Sequence, residues 1–106
     1  METQNKSVNK EKSKYKVKEP NMYDVIMLND DFTPMDFVVE ILETHFNKST
    51  QEATEIMLKI HKGKKAVVAT YIYDIALTKS YKVMQIARDK GYPLKCVVDK
   101  SSGYNK

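Results

Sequence analysis

Met22-Tyr23-Asp24-Val25-Ile26-Met27-Leu28-Asn29-Asp30-Asp31-Phe32-Thr33-Pro34-Met35 is the stretch that decides the fold. A short apolar run with β-branched members ends on three side chains that favour turns, so a strand over residues 22–28 runs into a turn at Asn29-Asp30-Asp31. Period two places Val25, Met27 and Asn29 on one face. Thr33-Pro34 then starts a helix: threonine caps, and proline suits the first helical position because its missing N–H would be unpaired there anyway. Asp36 adds negative charge to that first turn.

Working outward, Val38, Ile41, Leu42, His45 and Phe46 fall at helical spacing, which carries the first helix to about Asn47. Ser49-Thr50-Gln51-Glu52 is a capping box opening a second helix, with Ala53, Ile56, Met57, Ile60 and His61 as its apolar stripe and Gly63 where it stops. Residues 66–71 are β-branched and apolar enough for a second strand. A longer helical pattern runs from about Tyr73 to Gly91, and residues 93–98 form a third strand. The order β-α-α-β-α-β defines an α+β fold, a three-stranded antiparallel sheet with three helices packed on it. Residues 1–20 are rich in Lys, Asn, Ser and Glu, and ordering them would cost entropy with no burial to offset it. They are expected as a disordered N-terminal extension, residues 21–100 as the domain, and residues 101–106 as a polar C-terminal tail.

A chain of 106 residues accommodates one core. The net charge of +4 raises the question of nucleic acid, but residues 1–20 alone carry six lysines against three glutamates, and no aromatics interleave with a basic stripe elsewhere. Neither nucleic acid nor membrane is therefore an expected partner, since no apolar run approaches the roughly 20 residues of a membrane span. No secretory signal pattern follows the early lysines, and the expected address is cytoplasmic. The lone Cys96 cannot cross-link its own chain and is expected as a buried, inert thiol. With His45 and His61 on different predicted helices and no paired cysteines, no metal site is expected; three glycines leave no phosphate-cradling loop, and no cofactor is expected.

The turn and His61 each have a plain structural reading: Asn and Asp favour turns, and His61 stands four residues after Met57 on an apolar stripe. In combination they suggest more. A strand end, a helix start and a second helix can place an amide, carboxylates and an imidazole beside Met27, Met35, Val38, Met57 and Ile60. Polar tips bordering an apolar socket suit a ligand that is cationic at one end and large and apolar at the other. A free N-terminus followed by a Phe, Leu, Tyr or Trp side chain is such a ligand: its ammonium has three donors, and Asn, Asp and neutral His are acceptors. Methionines add a deformable lining that contacts aromatic rings well.

The run from Tyr23 to Val39 is similar to the signature segment of ClpS proteins. Ala53-Thr54 with Met57-Leu58 and His61, then Thr78-Lys79, then Pro93-Leu94 with Cys96 extend the resemblance over about residues 21–100. It implies a non-enzymatic adaptor that binds substrate proteins bearing N-terminal Leu, Phe, Tyr or Trp and delivers them to an ATP-dependent Clp protease. By resemblance, Asn29, Asp30, Asp31 and His61 form the α-amino site, with Asp30 supporting the turn. Met27, Thr33, Met35, Val38, Met57, Ile60 and Leu94 form the hydrophobic pocket, Met35 gating it against β-branched residues. Asp74 and Lys79 match positions that dock on the N-terminal domain of a ClpA- or ClpC-type unfoldase, and the N-terminal extension is implied to engage the unfoldase pore. The chain departs from the family pattern at Gly63, one residue earlier than usual, at Ile72 in place of a capping threonine, and at Asp74 in place of glutamate.

Two alternatives stand beside this reading. A ribosomal-stalk-like interaction domain resembles ClpS in fold, yet fold is not function, and such a domain has no need of the Asn-Asp-Asp turn or His61. A small hydrolase using His61 and Asp31 lacks a nucleophile with an obvious place nearby.

Overall fold

The computed structural model describes residues 21–101. The expected extension over residues 1–20 and nearly all of the expected C-terminal tail lie outside the described residues. Six elements follow in the anticipated order: β1 (Met22–Leu28), α1 (Met35–His45), α2 (Thr50–Gly63), β2 (Lys65–Ile72), α3 (Tyr73–Asp89) and β3 (Lys95–Lys100). The sheet is antiparallel with order β2-β1-β3, so the strand that carries the decisive sequence lies in its centre. Val25 pairs with Ala69 and Ile26 with Val67, leaving Val68 as an extra residue opposite that step. Such a bulge sharpens the local twist while Val68 itself stays buried.

Val25 and Met27 on β1, Phe37, Val38, Ile41 and Leu42 on α1, Ala53 and Ile60 on α2, and Ala76, Val83 and Ala87 on α3 belong to one buried cluster that also takes in Leu94 and Cys96. The helical and strand periods seen in the sequence thus converge on a single core. The helix ends use varied devices. Ser49 and Glu52 close a reciprocal capping box on α2. At the end of α3, Gly91 takes φ 85° while the N–H groups of Gly91 and Tyr92 return to Arg88 and Ala87. That is the two-bond arrangement that satisfies terminal carbonyls.

Two starts and one stop differ from the sequence reading: β3 begins at Lys95 rather than at residue 93, and the start of α1 and the end of α2 are built otherwise than expected. Pro34 is the N-cap of α1 rather than its first helical residue, and no side chain caps that end, because proline carries no side-chain acceptor; the Thr33 hydroxyl, one residue earlier, donates to Asp30. Ile72 precedes α3 without a side-chain cap, leaving Asp74 in the first turn to complement the helix dipole. Gly63 remains inside α2, and Lys64 takes the left-handed conformation with φ 75°. The glycine is one position short of where the backbone needs it.

Candidate functional site

The end of β1, the turn after it, the first turn of α1 and the last turns of α2 enclose a cavity of about 190 Å³. Its lining is Asn29, Asp30, Asp31, Thr33, Met35, Val38, Met57, Ile60 and His61. One hydrogen bond fixes this meeting of distant segments: the Asn29 N–H donates to the Lys64 carbonyl at 2.8 Å, extending the β1–β2 pairing by one residue and drawing the turn against the end of α2. His61, three residues before Lys64, is thereby brought to the same cavity as Asn29.

The two adjacent aspartates have different work. Asp30 Oδ1 accepts from the Phe32 N–H at 2.8 Å and the Thr33 N–H at 2.7 Å, while Oδ2 accepts from the Thr33 hydroxyl at 2.8 Å. Its acceptors are therefore committed to holding the turn. Partial burial pushes the Asp30 carboxyl pKa up, but the bonds from Thr33 and Phe32 outweigh it, and the net shift is downward from the ordinary 3.8. Among the described residues, no intramolecular hydrogen bond engages the side chains of Asn29, Asp31 or His61, and all three border the cavity and are exposed. Three acceptors are thus left to a visitor.

Below these polar tips the wall is apolar: Val38 and Ile60 are buried, Met57 is half-buried, and Met35 stands at 45% exposure. Thr33 lines the cavity with its hydroxyl proton already given to Asp30. Met27 and Leu94, expected in the pocket, do not line it; they are 0% and 1% exposed in the core. The inward face of β1 and the approach to β3 place them in the core cluster with Val38 and Ile60.

Asp74 and Lys79 lie apart from this cavity, on α3, and line a second, shallower depression of about 340 Å³ together with Ile75, Thr78 and Lys82. Lys79 is partly engaged: its Nζ donates to the His45 carbonyl at 3.1 Å and sits 5.5 Å from the centre of the Tyr71 ring. Lys82 was not singled out from the sequence, although Asp74, Thr78 and Lys82 recur every four residues and therefore share a helix face. Among the described residues no group of three or more His, Cys, Asp or Glu could hold a metal ion, and no helix is long and apolar enough to cross a membrane.

A three-stranded sheet under three helices, with acceptors from a turn and a helix grouped at an apolar cavity, defines a small domain of the α+β class. Comparison with known proteins specifies it further. The family model described as ATP-dependent Clp protease adaptor protein ClpS matches residues 18–97. The ATP-dependent Clp protease adapter protein ClpS of Treponema denticola is 54% identical over 82 residues, covering 77% of this chain and 81% of that one. Its counterpart in Rhodospirillum centenum is 49% identical over 89 residues, covering 84% and 82% respectively. Among solved structures, Agrobacterium tumefaciens ClpS2 bound to L-phenylalaninamide superposes with a TM-score of 0.76 at 32% identity, covering 78% of this chain and all of that one. The chain belongs to the ClpS family, whose members are adaptors of the Clp protease and not enzymes.

Proposed function

We propose that this adaptor captures proteins by an N-terminal Leu, Phe, Tyr or Trp and hands them to a ClpA- or ClpC-type unfoldase in the cytoplasm. The observation that carries the reading is the set of three uncommitted acceptors, on Asn29, Asp31 and His61, at the border of one apolar cavity. An α-ammonium presents three donors, so each acceptor has a partner, while the first side chain descends past Met35 onto Val38, Met57 and Ile60. L-phenylalaninamide, the ligand of the Agrobacterium relative, has this composition: a free amino group beside a benzyl side chain.

Asp30 acts at one remove, keeping Asp31 and Thr33 in position and adding negative field. Met35 gates entry, and a β-branched side chain meets it too close to the backbone. Met27 and Leu94 support the socket floor from the core. Burying a large apolar side chain contributes roughly 1.5–3 kcal/mol, and each charge-assisted bond about as much. After the costs of ordering, binding of about micromolar strength results. That strength suits a carrier that must release its cargo. The α3 face with Asp74 and Lys79 docks on the N-terminal domain of the unfoldase, away from the cavity, so cargo and machine are held at once. Residues 1–20 engage the unfoldase pore.

Retention on beads bearing a Phe-initiated peptide tests the reading. The free peptide is retained, the N-acetylated peptide is not, and equal retention of both defeats the proposal, because acetylation removes only the charge and donors.

A further inference from the structure

Of the six methionines in the chain, Met35 and Met57 line the cavity, and they are its most readily oxidised groups. They differ in access: Met35 is 45% exposed at the rim, Met57 is half-buried, and Met27 is fully buried in the core. Cys96 does not compete for oxidant, since it is 4% exposed and burial pushes its thiol up to about 12, leaving almost no thiolate. Met22, 41% exposed at the far end of β1, is similarly accessible but lines no part of the cavity.

We propose that Met35 is a reversible oxidation site through which hydrogen peroxide closes the cavity to apolar N-terminal residues. The inference rests on the capture function above. A lone pair on the Met35 sulfur attacks one peroxide oxygen; the S–O bond forms, the O–O bond breaks, and with a proton shift the second oxygen leaves as water. Sulfur gives up two electrons, peroxide accepts them, and a neutral sulfoxide remains. The product is polar and chiral where the thioether was apolar and deformable. An aromatic side chain entering past it loses its sulfur contact and strips water from a strong acceptor that gains no donor. Oxidation thus turns the gate into a barrier, and methionine sulfoxide reductases restore it.

The test treats the full chain with hydrogen peroxide and follows two quantities. Peptide mass spectrometry locates the added oxygen, and fluorescence anisotropy reports affinity for a Phe-initiated peptide labelled at its C-terminus. Wild-type protein and Met22→Leu lose affinity by about tenfold or more as Met35 is oxidised, whereas Met35→Leu, compared with its own untreated sample, changes by less than about twofold. A mixture of both epimer-specific reductases with a thiol reductant returns the wild type to its starting affinity. Full Met35 sulfoxide with no loss of affinity overturns the inference alone, as does an equal loss in Met35→Leu. Untreated protein that fails to bind the free peptide overturns the capture function and this inference with it.

Discussion

The Asn29 N–H lies 2.8 Å from the Lys64 carbonyl, so the first residue of the turn that borders the cavity is tied to the one residue that ends α2 in a left-handed conformation. Lys64 bears a Cβ that this conformation disfavours, while its neighbour Gly63 sits in the helix with no atom within 4 Å of where a Cβ would be. Lys64→Gly and Gly63→Ala are each expected to stabilise the domain by about 0.5–1 kcal/mol. The check is thermal unfolding: each raises Tm by a few degrees, on the scale of about 4–8 °C per kcal/mol for a domain this size. A fall in Tm for Lys64→Gly would show that the lysine side chain contributes more than its backbone strain costs.

Asp31→Ala and Asp30→Ala should damage peptide binding in distinguishable ways. Removing Asp31 deletes an uncommitted carboxylate from the cavity rim, so affinity for a Phe-initiated peptide drops by about tenfold or more, with Tm nearly unchanged. Removing Asp30 releases three hydrogen bonds within the turn; affinity falls and stability drops too, by about 1–2 kcal/mol. Calorimetry on both variants, paired with unfolding, separates ligand contact from support.

The lowered pKa of Asp30 fixes a pH dependence. Because its folded value lies below the ordinary 3.8, its contribution to stability is fully present above about pH 4 and disappears as pH falls through the folded value. Urea midpoints of the wild type and Asp30→Asn are expected to differ at pH 7 and to converge as pH falls below the lowered folded value. A gap that persists in acid would place the turn's stability elsewhere.

Cys96 lies on the inner face of β3, and burial pushes its thiol up to about 12. Iodoacetamide at pH 8 should leave the native protein unlabelled over hours and label it within minutes in denaturant. Rapid native labelling would mean that β3 opens far more readily than the rest of the core.

Ser80, on α3, is 2% exposed, and among the described residues its hydroxyl is the buried side-chain polar atom without a hydrogen-bond partner. Ser80→Ala removes an unpaired polar group and improves helix propensity, so it is expected to stabilise by about 1 kcal/mol. Denaturant unfolding with an unchanged slope and a higher midpoint is the signature.

Sequence alone determined the order of the six elements and the buried faces of β1 and α1, because each is a local or periodic property of the chain. Val25 and Met27 alternate inward on β1, Ile41 and Leu42 share a helical stripe, and the Ser49–Glu52 capping box can be read from four consecutive residues. The cavity residues Asn29, Asp31, Met35 and His61 were also legible, since turn chemistry and an apolar stripe with a polar member at its end are visible without coordinates.

Tertiary structure decided what depends on exact position. Whether Thr33 or Pro34 is the N-cap of α1 depends on the residue at which helical dihedrals begin, which no composition rule resolves; the folded chain puts Pro34 at the cap, and the Thr33 hydroxyl donates to Asp30. Met27 and Leu94 are as apolar as the residues that line the cavity, and only the packing of the sheet against the helices puts them in the core instead of in its lining. The division of labour between Asp30 and Asp31 has the same origin: two identical side chains, adjacent in sequence, are told apart by which backbone N–H groups the folded turn aims at each.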